Sequence, residues 1–300
     1  MSKQGLYTYG ELTARVREIK EMTGVTCTLL GRSILGREIP VFTLGTGKKT
    51  VVLLGGLLGT EVAVSALLLD FIGDYVQQLQ KGAKLYEVNM SYLFAERSVV
   101  VVPFLNPDGI AYATEGIDEN NPLYERVVRM NGGKDLTAWQ ANARGVTLTR
   151  NFAAGFAEGK TEERAHGILG GAAVGFGGEY PESEPESAAL GRLLRALHAD
   201  MQGLIEWHAE GALACSCRDK LSAKTLAAGR ILGRALGYRE QTPEVTSPYG
   251  SPADWCIEGL SRPAYHVGFD AAFCPAGAAR TSSTRYERVR RALFTFPFML

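Results

Sequence analysis

Several things are scarce or absent in this sequence. Five cysteines occur among 300 residues (Cys27, Cys215, Cys217, Cys256 and Cys274), an odd and scattered set. That argues against a disulfide framework. Cys215 and Cys217 form a CxC with no CxxC beside it, which reads as two small buried residues before it reads as a metal knuckle. Neither sign of charge is in excess, with 32 Lys and Arg against 32 Asp and Glu. No electrostatic basis then exists for a nucleic-acid partner or an anionic membrane surface. No run of 18 apolar residues occurs, and the opening MSKQGLYTYGEL has no apolar h-region, so a cytoplasmic chain is expected.

Phosphate-binding signatures are missing too. GTGKKT (45–50) lacks the earlier glycine of a P-loop and precedes a strand pattern instead of following one. The glycine-rich stretch 167–178 has no GxGxxG opening a helix, and reads as an ordered loop. No internal repeat and no linker divides the chain, so a single domain spanning 1–300 is expected.

What is present is 46% hydrophobic and strongly patterned. Val64, Leu67, Leu68, Phe71, Ile72, Tyr75 and Leu79 recur at three and four, which predicts an amphipathic helix over 61–80. Residues 50–56 and SVVVVPF (98–104) are short β-branched runs that suit strands buried on both faces. NPDG (106–109) has the composition of a type I turn. Ser183 and Glu186 predict a capping box before a helix, with Pro185 in its first turn. GLIEWH (203–208) and SRPAYHVGF (261–269) read as strands, 222–236 as a helix closed by Gly237, and 283–295 as a C-terminal helix. Strands alternating with helices predict α/β architecture: a mixed, mostly parallel twisted sheet with helices on both faces.

Only four histidines are available for chemistry. His198 falls among Arg and Asp at a helix end, and His166 lies in the loop EERAHG; both read as solvated. His208 ends a strand in which Leu204, Glu206, His208 and Glu210 share a face at period two. A His and a Glu projecting together from a strand end can form a metal or acid–base pair. His266 sits in the apolar strand AYHVG, where an aliphatic residue is the ordinary occupant.

These residues also carry a resemblance. The chain resembles the zinc carboxypeptidase (carboxypeptidase A-like) family, nearest to its bacterial γ-D-glutamyl-diamino acid peptidase branch. SILGREIPVFTLG (33–45) resembles S-x-x-G-R-x-I, and GGLLGTE stands in the place of the zinc motif G-G-x-H-G-x-E. VVPFLNPDG follows it, and NARGVTLTRNF (142–152) resembles N-x-R-G-V-D-L-N-R-N-F. FGGEYPESEPES (176–187), EWHAEG, SPADW and PAYHVG continue the match in order over some 290 residues.

The resemblance implies a zinc held at Glu61 and His208, but Leu58 stands where the family has its first zinc histidine. His266 stands at the family's general-base glutamate. It further implies oxyanion stabilisation by Arg144 and capture of a substrate carboxylate by Arg150, a planar two-pronged donor. Thr149 replaces the neighbouring family Asn. Ala253 falls where side-chain preference is set, and Tyr249 lies near the place of the family's substrate-facing tyrosine. The partner implied is a peptide or a peptidoglycan-stem-like fragment.

The two departures fall on metal binding and proton transfer. A catalytic zinc takes three protein ligands and keeps one position for water, and Glu61 with His208 supplies two. Loss of a general base removes a factor of about 10²–10⁴. Impaired or absent peptidase activity with a retained carboxylate site is therefore expected. The alternative is an active hydrolase with a rebuilt zinc shell of Glu61, His208 and His266, and Glu210 as base. A metal-free chain would need a partner for Glu61, either His208 or Arg144. A scaffold with a vestigial site is the blandest reading.

Overall fold

The structure is a computed structural model and describes residues 7–82, 84–238, 242–268 and 284–300. In chain order its elements begin α1 (Tyr9–Lys20), β1 (Val25–Arg32), β2 (Glu38–Leu44), β3 (Lys49–Leu54), α2 (Val62–Lys81), β4 (Lys84–Leu85) and β5 (Val88–Asn89). They continue α3 (Met90–Glu96), β6 (Arg97–Val102), α4 (Pro107–Glu115), α5 (Tyr124–Asn131), α6 (Phe156–Ala165), α7 (Pro185–Leu197) and β7 (Met201–His208). The last are β8 (Leu213–Ser216), α8 (Ala223–Leu236), β9 (Glu244–Thr246), α9 (Pro252–Glu258), β10 (Ala264–Gly268) and α10 (Thr284–Met299).

Eight strands form one sheet in the order β1-β2-β6-β3-β7-β10-β8-β9. Its centre, β6, β3, β7 and β10, is parallel. The β1–β2, β2–β6 and β10–β8 pairs are antiparallel. The expected mixed sheet is what forms. Alternation along each central strand sends Leu53, Ile205, Trp207, Tyr265 and Val267 to one face, under α1, α2, α8 and α10. Val52, Leu54, Leu204 and Ala264 go to the other, against α7, α9 and the segment holding Leu148 and Phe152. Both faces are dry because both are covered, which is why the strands read as apolar runs and not as alternating ones.

Helix α2 is long and apolar enough to cross a membrane by length and composition alone, yet 67% of that stretch is buried in the protein. It is the helix that packs the sheet. Gly82 closes it in the left-handed conformation, φ 62°. The NPDG motif differs from its expected turn: Pro107 opens α4, and the Asn106 side chain caps it by accepting from the Gly109 N–H at 2.9 Å. Proline at a first helical position and asparagine before it make this a helix start. The expected capping box of Ser183 and Glu186 does not form either. Glu184 occupies the cap position without a side-chain cap bond, because Glu186 turns inward to the Ile34 N–H and Asn142. Cys215 is buried in β8 with Sγ on the Ala264 carbonyl, and Cys217 is half-buried. Cys274 and the outer ends of the expected segments 261–269 and 283–295 lie outside the described residues.

Candidate metal and carboxylate site

Strands β3, β7 and β10 end side by side, and ligand groups in open α/β sheets collect outside such carboxyl ends. After β3 the chain turns through Gly56, at φ +57°, and then Gly59. A Cβ on Gly59 would stand 2.4 Å from the Trp139 carbonyl oxygen and 2.5 Å from that of Gly109. Only glycine permits this approach. Asn106 ties the turn down, its side-chain amide donating to the carbonyls of Leu57, Gln140 and Ala141 at 3.0–3.1 Å. Glu61 is thereby fixed at the mouth of α2, where it is 2% exposed. Its carboxylate makes no cap bond. Instead Oε2 accepts from the Leu58 N–H at 3.1 Å, and Oε1 accepts from His208 Nδ1 at 2.7 Å. Leu58 itself is half-buried.

Register supplies the rest. Glu206 on β7 pairs with Leu54 of β3 and with His266 of β10, so all three side chains share one face. His208 lies two residues further on, on that same face. The result is a chain of five groups. His208 donates from Nε2 to Glu206 Oε1 at 3.1 Å. His266 Nδ1 stands 3.8 Å from the same oxygen, and its Nε2 donates to Asp254 Oδ1 at 2.6 Å. Glu206 Oε2 accepts from the Ala253 N–H at 2.9 Å, and Asp254 Oδ2 accepts from the Tyr249 N–H at 2.9 Å. The two imidazoles are near-parallel, 22° apart, with centroids 5.9 Å apart.

Three carboxylates, none more than 2% exposed, are interleaved with two imidazoles. Unpaired buried charge is costly, so each carboxylate requires a cationic neighbour. Burial alone would hold the His208 ring down, but Glu61 and Glu206 together raise it well above the usual imidazole value. His266 is raised in the same way: Glu206 and Asp254 outweigh burial and the opposing charge of His208. Asp254 is held below the usual carboxylate range, burial being outweighed by His266, the Tyr249 N–H and Ser216. Of the two partners expected for Glu61, His208 is the one in contact.

Arg144 is about half exposed and stands 3.7 Å from Glu184. Arg150 donates to the Gly175 carbonyl at 3.1 Å, is paired with Glu162, and lies over the Tyr249 ring at 5.6 Å. Through Tyr249 and Asp254 it joins the His266 end of the cluster. Thr149 beside it is half-buried. Ala253 is fully buried, its side chain packed in the core. Glu210 departs from the expected face, because β7 ends at His208 and period two ends with it. It lies exposed in the following bend.

Two residues that the sequence reading left without a role stand at the centre. Glu206 could have been found as a lone charge within an apolar strand. Asp254 is legible as the third residue after Ser251, with which it forms the capping box of α9. Among the described residues, Glu206, His208 and His266 bring three ligand atoms within 4.8 Å of one another. Their His₂Glu chemistry suits zinc. At the positions where the sequence resemblance implies the zinc ligands, Leu58 has no ligand atom, and Glu61 and His208 are hydrogen-bonded to each other.

A mixed eight-stranded α/β sheet with imidazoles and carboxylates gathered at its carboxyl ends is the architecture of a metallocarboxypeptidase. The sequence profile described as zinc carboxypeptidase matches residues 14–244, and the chain belongs to that family. It is 25% identical over 245 residues to gamma-D-glutamyl-L-diamino acid endopeptidase 1 of Lysinibacillus sphaericus, covering 80% of this chain and 59% of that protein. The chain spans little more than half the length of the curated relatives it matches. Among solved structures it is similar to carboxypeptidase A from Helicoverpa armigera, with a TM-score of 0.67 and 17% identity, over 98% of this chain and 74% of that one. It is similar also to the murein-tripeptide amidase of Escherichia coli O157, with a TM-score of 0.53 and 21% identity, over 93% and 94%. At these identities the two structures speak for the fold alone.

Proposed function

We propose that this chain binds peptides ending in a free carboxylate, of the peptidoglycan-stem kind, and that the family's ordinary hydrolysis is impaired or absent in it. The observation that carries this reading is the Glu61–His208 hydrogen bond beside Leu58. One family ligand is apolar here, and the other two hold each other. The position of the family's general base is filled by His266, which is engaged by Asp254. Arg150 receives the carboxylate, with Thr149 and Tyr249 beside it, and Arg144 lines the approach. The name of the gamma-D-glutamyl-L-diamino acid endopeptidase supports a peptidoglycan-stem peptide as the ligand class.

An active hydrolase with a rebuilt zinc shell is the second reading; the ligand atoms that lie together are those of Glu206, His208 and His266, with Glu206 where the sequence led to Glu61. One experiment separates the two. A γ-D-glutamyl-diamino acid peptide is titrated calorimetrically into zinc-supplemented protein, and the mixture is followed by mass spectrometry. Saturable binding that Arg150→Ala weakens at least about tenfold, without cleavage, is expected for a lost charge-assisted pair. Turnover by the wild type, abolished in His266→Ala, would establish the hydrolase instead.

A further inference from the structure

The two imidazoles of the cluster are oriented alike. Each turns one ring nitrogen inward to Glu206 Oε1: His208 Nε2 at 3.1 Å and His266 Nδ1 at 3.8 Å. Each gives its outward nitrogen to a separate buried carboxylate, Glu61 for His208 at 2.7 Å and Asp254 for His266 at 2.6 Å. The spare oxygen of Glu206 is fixed by the Ala253 N–H. Histidines that bind metals are held in this way: the outer nitrogen donates to a carboxylate, which sets the tautomer and makes the inner nitrogen a better ligand.

We propose that Glu206, His208 and His266 form a divalent-cation site displaced from the family's position, in which Glu61 supports His208 from outside. Three features carry the assignment. One ligand atom from each residue lies within 4.8 Å of the others, and in a tetrahedral shell with bonds of about 2.0–2.1 Å such atoms stand roughly 3.3 Å apart, so a small closing of the side chains completes it. Metal ligation requires both imidazoles to be neutral, and the three buried carboxylates then carry three negative charges, of which a dication removes two. The donor set also needs nothing from Leu58, which explains how an apolar residue is tolerated there. Two nitrogens and one oxygen favour zinc, with cobalt(II) as a spectroscopic substitute.

This goes beyond the functional reading and does not rest on it. Metal binding is read from stoichiometry and spectra, so a chain that binds zinc without cleaving peptide leaves both standing. Full-length protein is stripped with EDTA and titrated with zinc and with cobalt(II), recording stoichiometry, visible absorption and the thermal midpoint. One ion per chain, four-coordinate cobalt bands and a raised midpoint are expected. Glu206→Gln and His266→Asn should each weaken binding by more than about 100-fold, whereas Glu61→Gln should weaken it only about 10–100-fold, as an outer partner does. Circular dichroism establishes that each variant folds; should a buried substitution fail, the wild-type cobalt spectrum still decides. The spectrum of the hydrated ion with no stoichiometric binding would overturn the proposal. So would binding that survives Glu206→Gln but is lost in Glu61→Gln.

Discussion

The guanidinium of Arg150 is paired with the carboxylate of Glu162, which α6 carries across to it. A protein carboxylate thus occupies one prong of the group proposed to receive a peptide carboxylate, while the other prong is on the Gly175 carbonyl. On that proposal, Glu162 competes with the peptide for Arg150. Glu162→Gln should tighten binding of a carboxylate-terminated peptide by about two- to fivefold, the worth of a partly exposed ion pair. Calorimetric titration of wild type and variant checks this, and weaker binding in the variant would show that Glu162 positions Arg150 instead of competing for it.

If Leu58 and His266 carry the functional defect, reversing both should restore chemistry. The double variant Leu58→His, His266→Glu rebuilds the family shell and supplies a base. With zinc added, peptidase activity should exceed that of wild type by about 10²–10⁴-fold, the usual contribution of a general base. Leu58→His alone should gain far less, because His266 remains on Asp254. Single-turnover assays on the three proteins test the order, and equal rates would place the defect elsewhere.

Glu186 makes stability depend on pH. It is fully buried, and burial pushes its carboxyl up to about 7; its own and the Ile34 N–H partly oppose this, while Asp108 and Glu184 add to it. A folded-state pKa above the unfolded one near 4.5 means the native state binds the extra proton. This contribution is complete below about pH 4.5 and is lost as pH rises through about 7, by at most about 3 kcal/mol. Urea unfolding of wild type and Glu186→Gln at pH 5 and pH 8 measures it. The variant, a stand-in for the protonated acid, should lose less stability between the two.

Asn106 joins the turn before Glu61 to the segment before Arg144. Asn106→Ala removes a helix cap and leaves the carbonyls of Leu57, Gln140 and Ala141 without its amide. A destabilisation of about 2–4 kcal/mol is expected, from about 1 for the cap and about 1–3 for the Leu57 carbonyl, since the Gln140 and Ala141 carbonyls still accept from the Gly59 N–H and Trp139 Nε1. Chemical denaturation reads it directly. A loss below about 1 kcal/mol would mean that the turn holds without the asparagine.

The order of elements was legible because local physics sets it. Apolar period near 3.6 marks α2, β-branched runs mark β3 and β6, and Ser222 with Gly237 bounds α8 as read. Places where a side chain had two possible partners were misread. Glu186 prefers buried amides to a cap, and Asn106 prefers opening a helix to opening a turn.

The candidate site divides along the same line. The sequence by itself determined which groups were available: the lone charge of Glu206 inside an apolar strand, two strand histidines, and Leu58 in place of a donor. It determined the family as well, since ordered motifs run through most of the chain. Which groups meet was decided by sheet register, which joins β3, β7 and β10 across wide sequence separations and puts Glu206 between Leu54 and His266. A shift of one residue in that register would send His266 to the opposite face. Only the tertiary structure could turn Glu61 toward His208, give Asp254 to His266, and leave two imidazoles facing one buried carboxylate. Those contacts depend on strand pairing and chain closure, and neither is written in any local stretch of residues.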